Sequence, residues 1–409
     1  MSGSVFELLD LIARWVHVIA GIMWIGNSML FNWLDRSLVT KPDADRTNAP
    51  VGTIWLLHSG GFYYVEKTLL RGQALPHPLH WFKWQAYTTW ISGVALLFVV
   101  YYASDRAVLA DPSVAQLDRP IAVGVGLGSI VLGWALYESM QRLVAPRAPA
   151  LAAMVWIGGL IAIAIALTQL LSGRAAFLHV GAMLGTIMAA NVAMTIVPSQ
   201  RQLVASVAEG LGVDEGVSAR AKRVSIHNNY FTFPVIALMV SSHFPAVYGH
   251  RWNWLLLLVI VASGAGVRHV LNVRFTYPRW KTALAATIVA SVVALFAILS
   301  MSGSDSQAAA AGARAAAAVA NRSISFDEAR QVIDRRCAAC HSAHPSDVTF
   351  GAAPAGVMFD TPEQIVSRIA RIRERAVVTH TMPPANKTRI TDEERAILGR
   401  WIELGGVIR

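Results

Sequence analysis

Cysteine is almost absent from this chain: Cys337 and Cys340 are the only two in 409 residues. With both in one short motif there is no disulfide framework. A structural zinc site, which takes about four Cys or His ligands, has no third cysteine to draw on. Charge is scarce too, at 15% of residues, where soluble domains carry about 25%. Together with a mean hydropathy of +0.46, this argues for a membrane protein. Acidic residues are outnumbered, giving a formal charge of +10. Such an excess can mark a nucleic-acid binder, but in an apolar chain it matches the Lys and Arg that collect in cytoplasmic loops. No nucleic-acid partner is expected. Met1 to Asp10 lack the basic start and small-residue cleavage site of a secretory leader, so no cleaved leader is expected.

What the chain has in quantity is apolar length. A spanning helix needs about twenty apolar residues, and stretches near 10–34, 84–103, 119–140, 151–172, 174–198, 224–244, 253–275 and 281–301 provide them. The expected fold is all-α: a polytopic membrane bundle of about eight spans over 1–301, an Ala/Gly/Ser linker over 302–322, and a small domain over 323–409. The connection 35–83, rich in Trp, Tyr, His and charge, is expected to form helices lying at the interface or folding back on the bundle.

In the small domain the two cysteines belong to Cys337-Ala338-Ala339-Cys340-His341, the spacing of a c-type haem attachment site. Each thiol adds to one vinyl group of the porphyrin, and the adjacent imidazole of His341 becomes an axial ligand of the iron. Methionine is the usual partner of histidine in cytochromes c. Met382, in Thr381-Met382-Pro383-Pro384 where prolines stiffen the backbone, is the expected sixth ligand. Ser325 and Glu328 have the capping-box spacing that opens a helix toward Cys337. Thr391 followed by Asp392, Glu393 and Glu394 opens another, with Ile397, Leu398, Trp401, Ile402 and Leu404 as its apolar face. Two terminal helices over a haem make the class I cytochrome c arrangement. The domain offers no other polar catalytic group, so its expected task is to accept one electron at a time.

Haem c is attached outside the cytoplasm, which puts the small domain outside and, after eight spans, the N-terminus as well. The loops then inside carry Arg36, Lys41, Arg46, Lys67 and Arg71; Arg142 and Arg147; Arg201, Arg220, Lys222 and Arg223; and Arg274, Arg279 and Lys281. Those outside carry only Arg106, Arg119, Arg174 and Arg251. The positive-inside bias agrees with the haem. The expected location is a bacterial inner membrane with both termini periplasmic.

Polar groups within spans are expensive and usually functional. The first span holds Arg14, and its His17, Trp24 and Asn27 are spaced to share one side of a helix. His58-Ser59-Gly60-Gly61-Phe62-Tyr63 follows, its glycines reading as a turn, and His77, His80, Trp81 and Trp84 read as an interfacial belt. His179 and Asn191 lie in the fifth span, His227-Asn228-Asn229-Tyr230 opens the sixth with His243 at its far end, and Arg268-His269 sits in the seventh. Four consecutive hydrogen-bonding side chains at a span entrance are poorly suited to face lipid. A second reading also stands: His17, His179, His243 and His269 as ligands of a b-type haem in the bundle.

A bundle that begins Arg14-Trp15-x-His17 with Gly21, Trp24 and Gly26, continues through His58-Ser59-Gly60-Gly61-Phe62-Tyr63 and His227-Asn228-Asn229-Tyr230, and ends in Cys-x-x-Cys-His resembles the bacterial membrane-bound urate oxidases (urate hydroxylases). The resemblance implies oxidation of urate to 5-hydroxyisourate without hydrogen peroxide as product. Electrons would pass to haem c and on to a respiratory acceptor such as a soluble cytochrome c or a terminal oxidase. It implies urate and the lipid bilayer as partners. A flat anion calls for aromatic, amide and cationic groups: His17, Trp24, Asn27, His58, His227, Asn228, Asn229 and Tyr230 are candidates for catalysis or binding, with His17 or His227 as base, and Arg14 or Arg268 for the charge. The other reading is an electron-transfer module, haem b to haem c, serving another dehydrogenase.

Overall fold

The computed structural model describes residues 3–39, 51–68, 70, 74–103, 109–111, 114–210, 214–301, 308–347 and 353–408. Lys41, Arg46, Arg71 and Arg106, and the first part of the expected linker (302–307), lie outside the described residues.

The apolar runs fold as helices, which satisfy their backbone hydrogen bonds internally and so suit a medium without water. Helix α1 spans Gly3–Ser37. Helix α2 (Trp84–Leu97) runs on into a π-helical turn at Phe98–Tyr102, and α3 (Arg119–Ser139) into another at Met140–Val144. After α4 (Pro149–Leu170), α5 (Gly173–Asn191) passes through a third π turn, Val192–Ile196, into α6 (Val197–Ala208). Helix α7 (Glu215–Ser241), the short α8 (Pro245–Tyr248), α9 (Asn253–Val273) and α10 (Trp280–Ser300) complete the bundle.

Among the described residues, six helical segments are long and apolar enough to cross a membrane: Leu8–Ser37, Arg119–Val144, Pro149–Leu170, Gly173–Ala208, Asn253–Val273 and Trp280–Ser300. The other two predicted spans are also helical but fall short on apolar length. Helix α2 is brief, and α7 carries Arg220, Lys222, Arg223, His227, Asn228 and Asn229. Helix α5 is the axis of the bundle. Ala175, Phe177, Val180, Met183, Leu184 and Ile187 on it are essentially inaccessible, as expected of a helix apolar on all sides. In contrast, Val289, Val292, Val293 and Phe296 of α10 face outward, where lipid rather than water is the fitting solvent. The connections α3–α4, α6–α7 and α9–α10, together with the C-terminal end of α1, lie at one end of the bundle. These carry Arg36, Arg142, Arg147, Arg220, Lys222, Arg223, Arg274, Arg279 and Lys281, so this is the arginine-rich end.

The 35–83 connection departs from expectation in a chain that is otherwise helical. Its described part is an antiparallel hairpin, β1 (Gly52–His58) with β2 (Gly61–Lys67), and not interfacial helix. Ser59 and Gly60 both have positive φ (50° and 78°), the two-residue turn that matches strand twist. Trp55 packs on Tyr64 across the strands at 5.0 Å, and aromatic cross-strand pairs of this kind stabilise strand over helix.

The C-terminal unit has its own core. Helix α12 (Phe326–Arg336) and α15 (Asp392–Glu403) each open with a capping box, Ser325 with Glu328 and Thr391 with Glu394. Phe326 meets Trp401 at 5.8 Å, over Ile333 and Leu398. The short helices α13 (Pro362–Val366) and α14 (Ile369–Ile372) close the unit. Within the expected linker, Ala308–Val319 forms α11, which packs on α15 and buries Ala315 and Val319. Alanine's high helix propensity explains the element, and the packing makes this tract more than a tether.

Candidate functional site

Two groups of side chains carry chemistry, at opposite ends of the molecule. In the C-terminal unit, Cys337 caps α12 and Cys340 and His341 follow in a tight turn, with the His341 amide donating to the Cys337 carbonyl. Both thiols are free of disulfide. Burial pushes the Cys337 thiol up to about 12, so it is held as the protonated thiol. His341 Nδ1 donates to the Val357 carbonyl oxygen at 3.0 Å, and Phe359 packs on the ring at 5.2 Å. Burial lowers the imidazole pKa, the hydrogen bond to Val357 works against it, and the nearby Arg375 charge adds to the lowering. The result is a neutral ring with its orientation fixed through Nδ1 and Nε2 left for a ligand, the arrangement metal-bound histidines adopt. The Met382 backbone is fixed as well: its amide donates to Arg375 O at 2.9 Å and its carbonyl accepts from Arg395 Nη1 at 3.0 Å. Arg395 also donates to the Ala376 carbonyl. The residues present therefore fit a c-type haem: two unpaired thiols, one pre-oriented imidazole and one thioether on a braced segment.

That braced segment touches the bundle. Gly249, in the turn after α8, lies against Thr379 and Thr381, where a Cβ would come within 2.8 Å of the Thr381 side chain. Met382 therefore follows directly on the contact, at the end of the bundle opposite the arginines.

Within the bundle, α7 organises a buried polar network. Tyr137 of α3 shares a 2.8 Å hydrogen bond with His227 Nδ1. Asn191, at the end of α5, donates to Tyr137 Oη at 3.0 Å and to Asn228 Oδ1 at 2.9 Å, and Asn228 donates to the Met188 carbonyl at 2.9 Å. Trp156 and Phe231 pack on the Tyr137 ring at 5.4 and 6.1 Å. Adjacent on α7, Asn229 Oδ1 accepts from Arg268 Nε and Asn272 Nδ2, both at 2.8 Å, and Arg36 donates to the Asn272 carbonyl. Arg268 also stacks over Phe233 at 5.5 Å. Tyr230 bonds His269 Nδ1 at 2.8 Å. The Asn229 Nδ2 and Asn272 Oδ1 atoms are buried without partners, an expense of about 1–3 kcal/mol each that a water or ligand atom would remove.

The structure thus brings His227 and Asn228 into one network, Asn229 to Arg268 and Tyr230 to His269, and keeps His17, Trp24, Asn27, Arg14 and His58 elsewhere. His17 packs on α2, its Nδ1 at 2.8 Å from the Thr89 carbonyl oxygen and 3.2 Å from Ser92 Oγ. Gly93 makes room for it, since a Cβ there would lie 2.9 Å from the ring. Trp24 packs against Ala86, Val192 and Val197, and Asn27 is half-buried on α1. Arg14 is exposed and paired with Asp10, away from the network. His58 is exposed at the hairpin tip. Of the four histidines expected around a b-type haem, His179 has both ring nitrogens engaged, by Ala175 O at 2.7 Å and Tyr102 Oη at 2.8 Å, and is completely buried. It fits a hydrogen-bonded core histidine and not an iron ligand. His243 is exposed at the end of α7.

Tyr137 and Asn272 escape a reading of the sequence as sites. The available signal is Tyr137-Glu138-x-x-Gln141-Arg142, a polar run at a span end with helical spacing. No curated protein and no solved structure is significantly similar to this chain. Residues 3–301, the whole bundle, match the family model described as Urate oxidase N-terminal, and the chain belongs to that family.

Proposed function

We propose that this chain is a membrane oxidoreductase that converts urate to 5-hydroxyisourate and passes the electrons to a haem c on its own C-terminal unit, and from there to a respiratory acceptor. The observation that carries this reading is the fusion itself. A urate oxidase N-terminal region is followed, in one chain, by Cys337-Ala338-Ala339-Cys340-His341 on a unit with its own core. The reaction balances without dioxygen: urate takes up water and releases two electrons and two protons, so no hydrogen peroxide forms. Cys337, Cys340, His341 and Met382 would hold the haem c, which would supply a one-electron acceptor.

In this reading His227 takes a proton. In the tautomer that donates Nδ1–H to Tyr137, Nε2 is the base, and an imidazole suits that task near neutral pH. All eight expected spans cross, α2 lengthened by its π turn Phe98–Tyr102 and α7 holding Asn228 and Asn229 against neighbouring helices. The arginine-rich end is cytoplasmic and the C-terminal unit periplasmic in a bacterial inner membrane. Urate then meets the bundle on the side where purine breakdown makes it, and the contact at Gly249 holds the acceptor on the other. Aromatic rings at both ends support a route between them: Tyr137, Trp156 and Phe231 on one side, Tyr101 and Tyr102 around His179 on the other.

The test is anaerobic turnover. Purified protein supplied with urate and an oxidised soluble cytochrome c should form 5-hydroxyisourate without hydrogen peroxide. Urate loss that requires dioxygen and yields peroxide in step would overturn the proposal.

A further inference from the structure

We infer that a cleft at the arginine-rich end of the bundle binds the urate anion, with Arg220 and Arg223 as its charge partners; this deepens the proposed function and rests on it. The cleft has a volume of about 350 Å³ and is lined by Glu138, Gln141, Arg142, Thr195, Arg220 and Arg223. That is the small end of the ~300–1,000 Å³ typical of small-molecule sites, a fit for a bicyclic purine.

Its chemistry is that of an anion site. Arg142 is neutralised by Glu138 one turn back. Arg220 and Arg223 are exposed on α7 and have no carboxylate partner among the described residues. Guanidinium forks match planar oxyanions in a way an ammonium does not. Gln141 Oε1 is buried without a hydrogen-bond partner, an acceptor suited to a ring N–H, and Thr195 adds a hydroxyl. The two cations expected from the sequence to meet the anion are engaged: Arg14 by Asp10, and Arg268 by Asn229 and Phe233.

Backbone geometry gives an independent pointer. Gln141 and Arg142 lie in the π turn Met140–Val144, and Thr195 in the π turn Val192–Ile196. Such turns are rare and concentrate at functional sites. The cleft also lies beside the base. Arg223 is one turn before His227 on α7, and Glu138 adjoins Tyr137 on α3. A urate held by the arginines is therefore at the mouth of the Tyr137–His227 network.

The experiment uses full-length, haem-loaded protein reduced with dithionite, so that urate binds without turnover, and calorimetry reads the Kd. Arg220→Gln with Arg223→Gln should raise Kd by about tenfold or more, the loss expected for charge-assisted hydrogen bonds. Melting temperature and haem spectrum should not change, since both side chains are exposed. Arg223→Lys should fall between the two, and Arg147→Gln, at the same end but outside the cleft, should match wild type. An unchanged Kd in the double variant overturns the inference even if wild type reduces its haem with urate. Displacement of urate by an equal concentration of inorganic phosphate overturns it too, because it marks a site for phosphate headgroups. Wild-type protein that neither binds nor oxidises urate overturns the proposed function, and this inference with it.

Discussion

The two regions of this chain position their reactive side chains by opposite means. In the C-terminal unit, Cys337, Cys340 and His341 fall within one turn, and only Met382 comes from elsewhere. In the bundle, Tyr137, Asn191, His227 and Asn228 come from α3, α5 and α7 and meet only because those helices pack. A site whose chemistry is covalent attachment needs local spacing. A site built from hydrogen bonds in an apolar medium needs tertiary contact, since each buried polar group must find its partner there. The first kind tolerates a marginal scaffold, and the second is only as good as its packing.

Three substitutions sharpen that contrast. The largest effect is expected from Cys337→Ser with Cys340→Ser. Covalent haem should disappear from denaturing gels stained for haem, and urate-driven reduction should be lost outright, while the bundle still inserts in the membrane. Covalent haem persisting in that variant would break the assignment of the motif. His227→Ala comes next. The rate of urate-driven reduction should fall by about 10²–10⁴-fold, the usual contribution of a general base, with the haem spectrum unchanged. Rates within a few-fold of wild type would place the base elsewhere. Met382→Ala is the mildest. The haem should remain attached while its reduction potential and visible spectrum shift, because the axial ligand sets both; an unaltered spectrum would exclude Met382 as ligand.

How much was legible in the sequence follows from the same distinction. Helices stand at all eight expected places, six of them long and apolar enough to cross a membrane among the described residues, because apolar length is a local property. The capping box Ser325-x-x-Glu328 and the acidic first turn after Thr391 are legible as helix starts, again local signals. The hairpin was not read, although Trp55 and Tyr64 are strand formers. The surrounding charge and aromatic content looked interfacial, and strand pairing across Ser59-Gly60 is a contact between segments. In the site, the run His227-Asn228-Asn229-Tyr230 announced a buried network. Its partners carry no such signal: Tyr137 is one more aromatic in a span, and Arg220 and Arg223 are expected only as loop charge. Arg14 and Arg268 stood out because they lie inside spans, yet Arg14 is satisfied by Asp10 and Arg268 by Asn229. A charge in a span attracts notice, whereas a charge at the mouth of a cleft is hidden among the positive-inside residues.

The linking claim is that the bundle and the small unit are one electron circuit. Anaerobic stopped-flow mixing of urate with the fully oxidised, purified chain tests it most directly. The reduced haem c bands should appear with no other protein present, and at limiting urate two haems should be reduced per urate consumed. A haem that stays oxidised with urate, yet is reduced at once by dithionite, would contradict it.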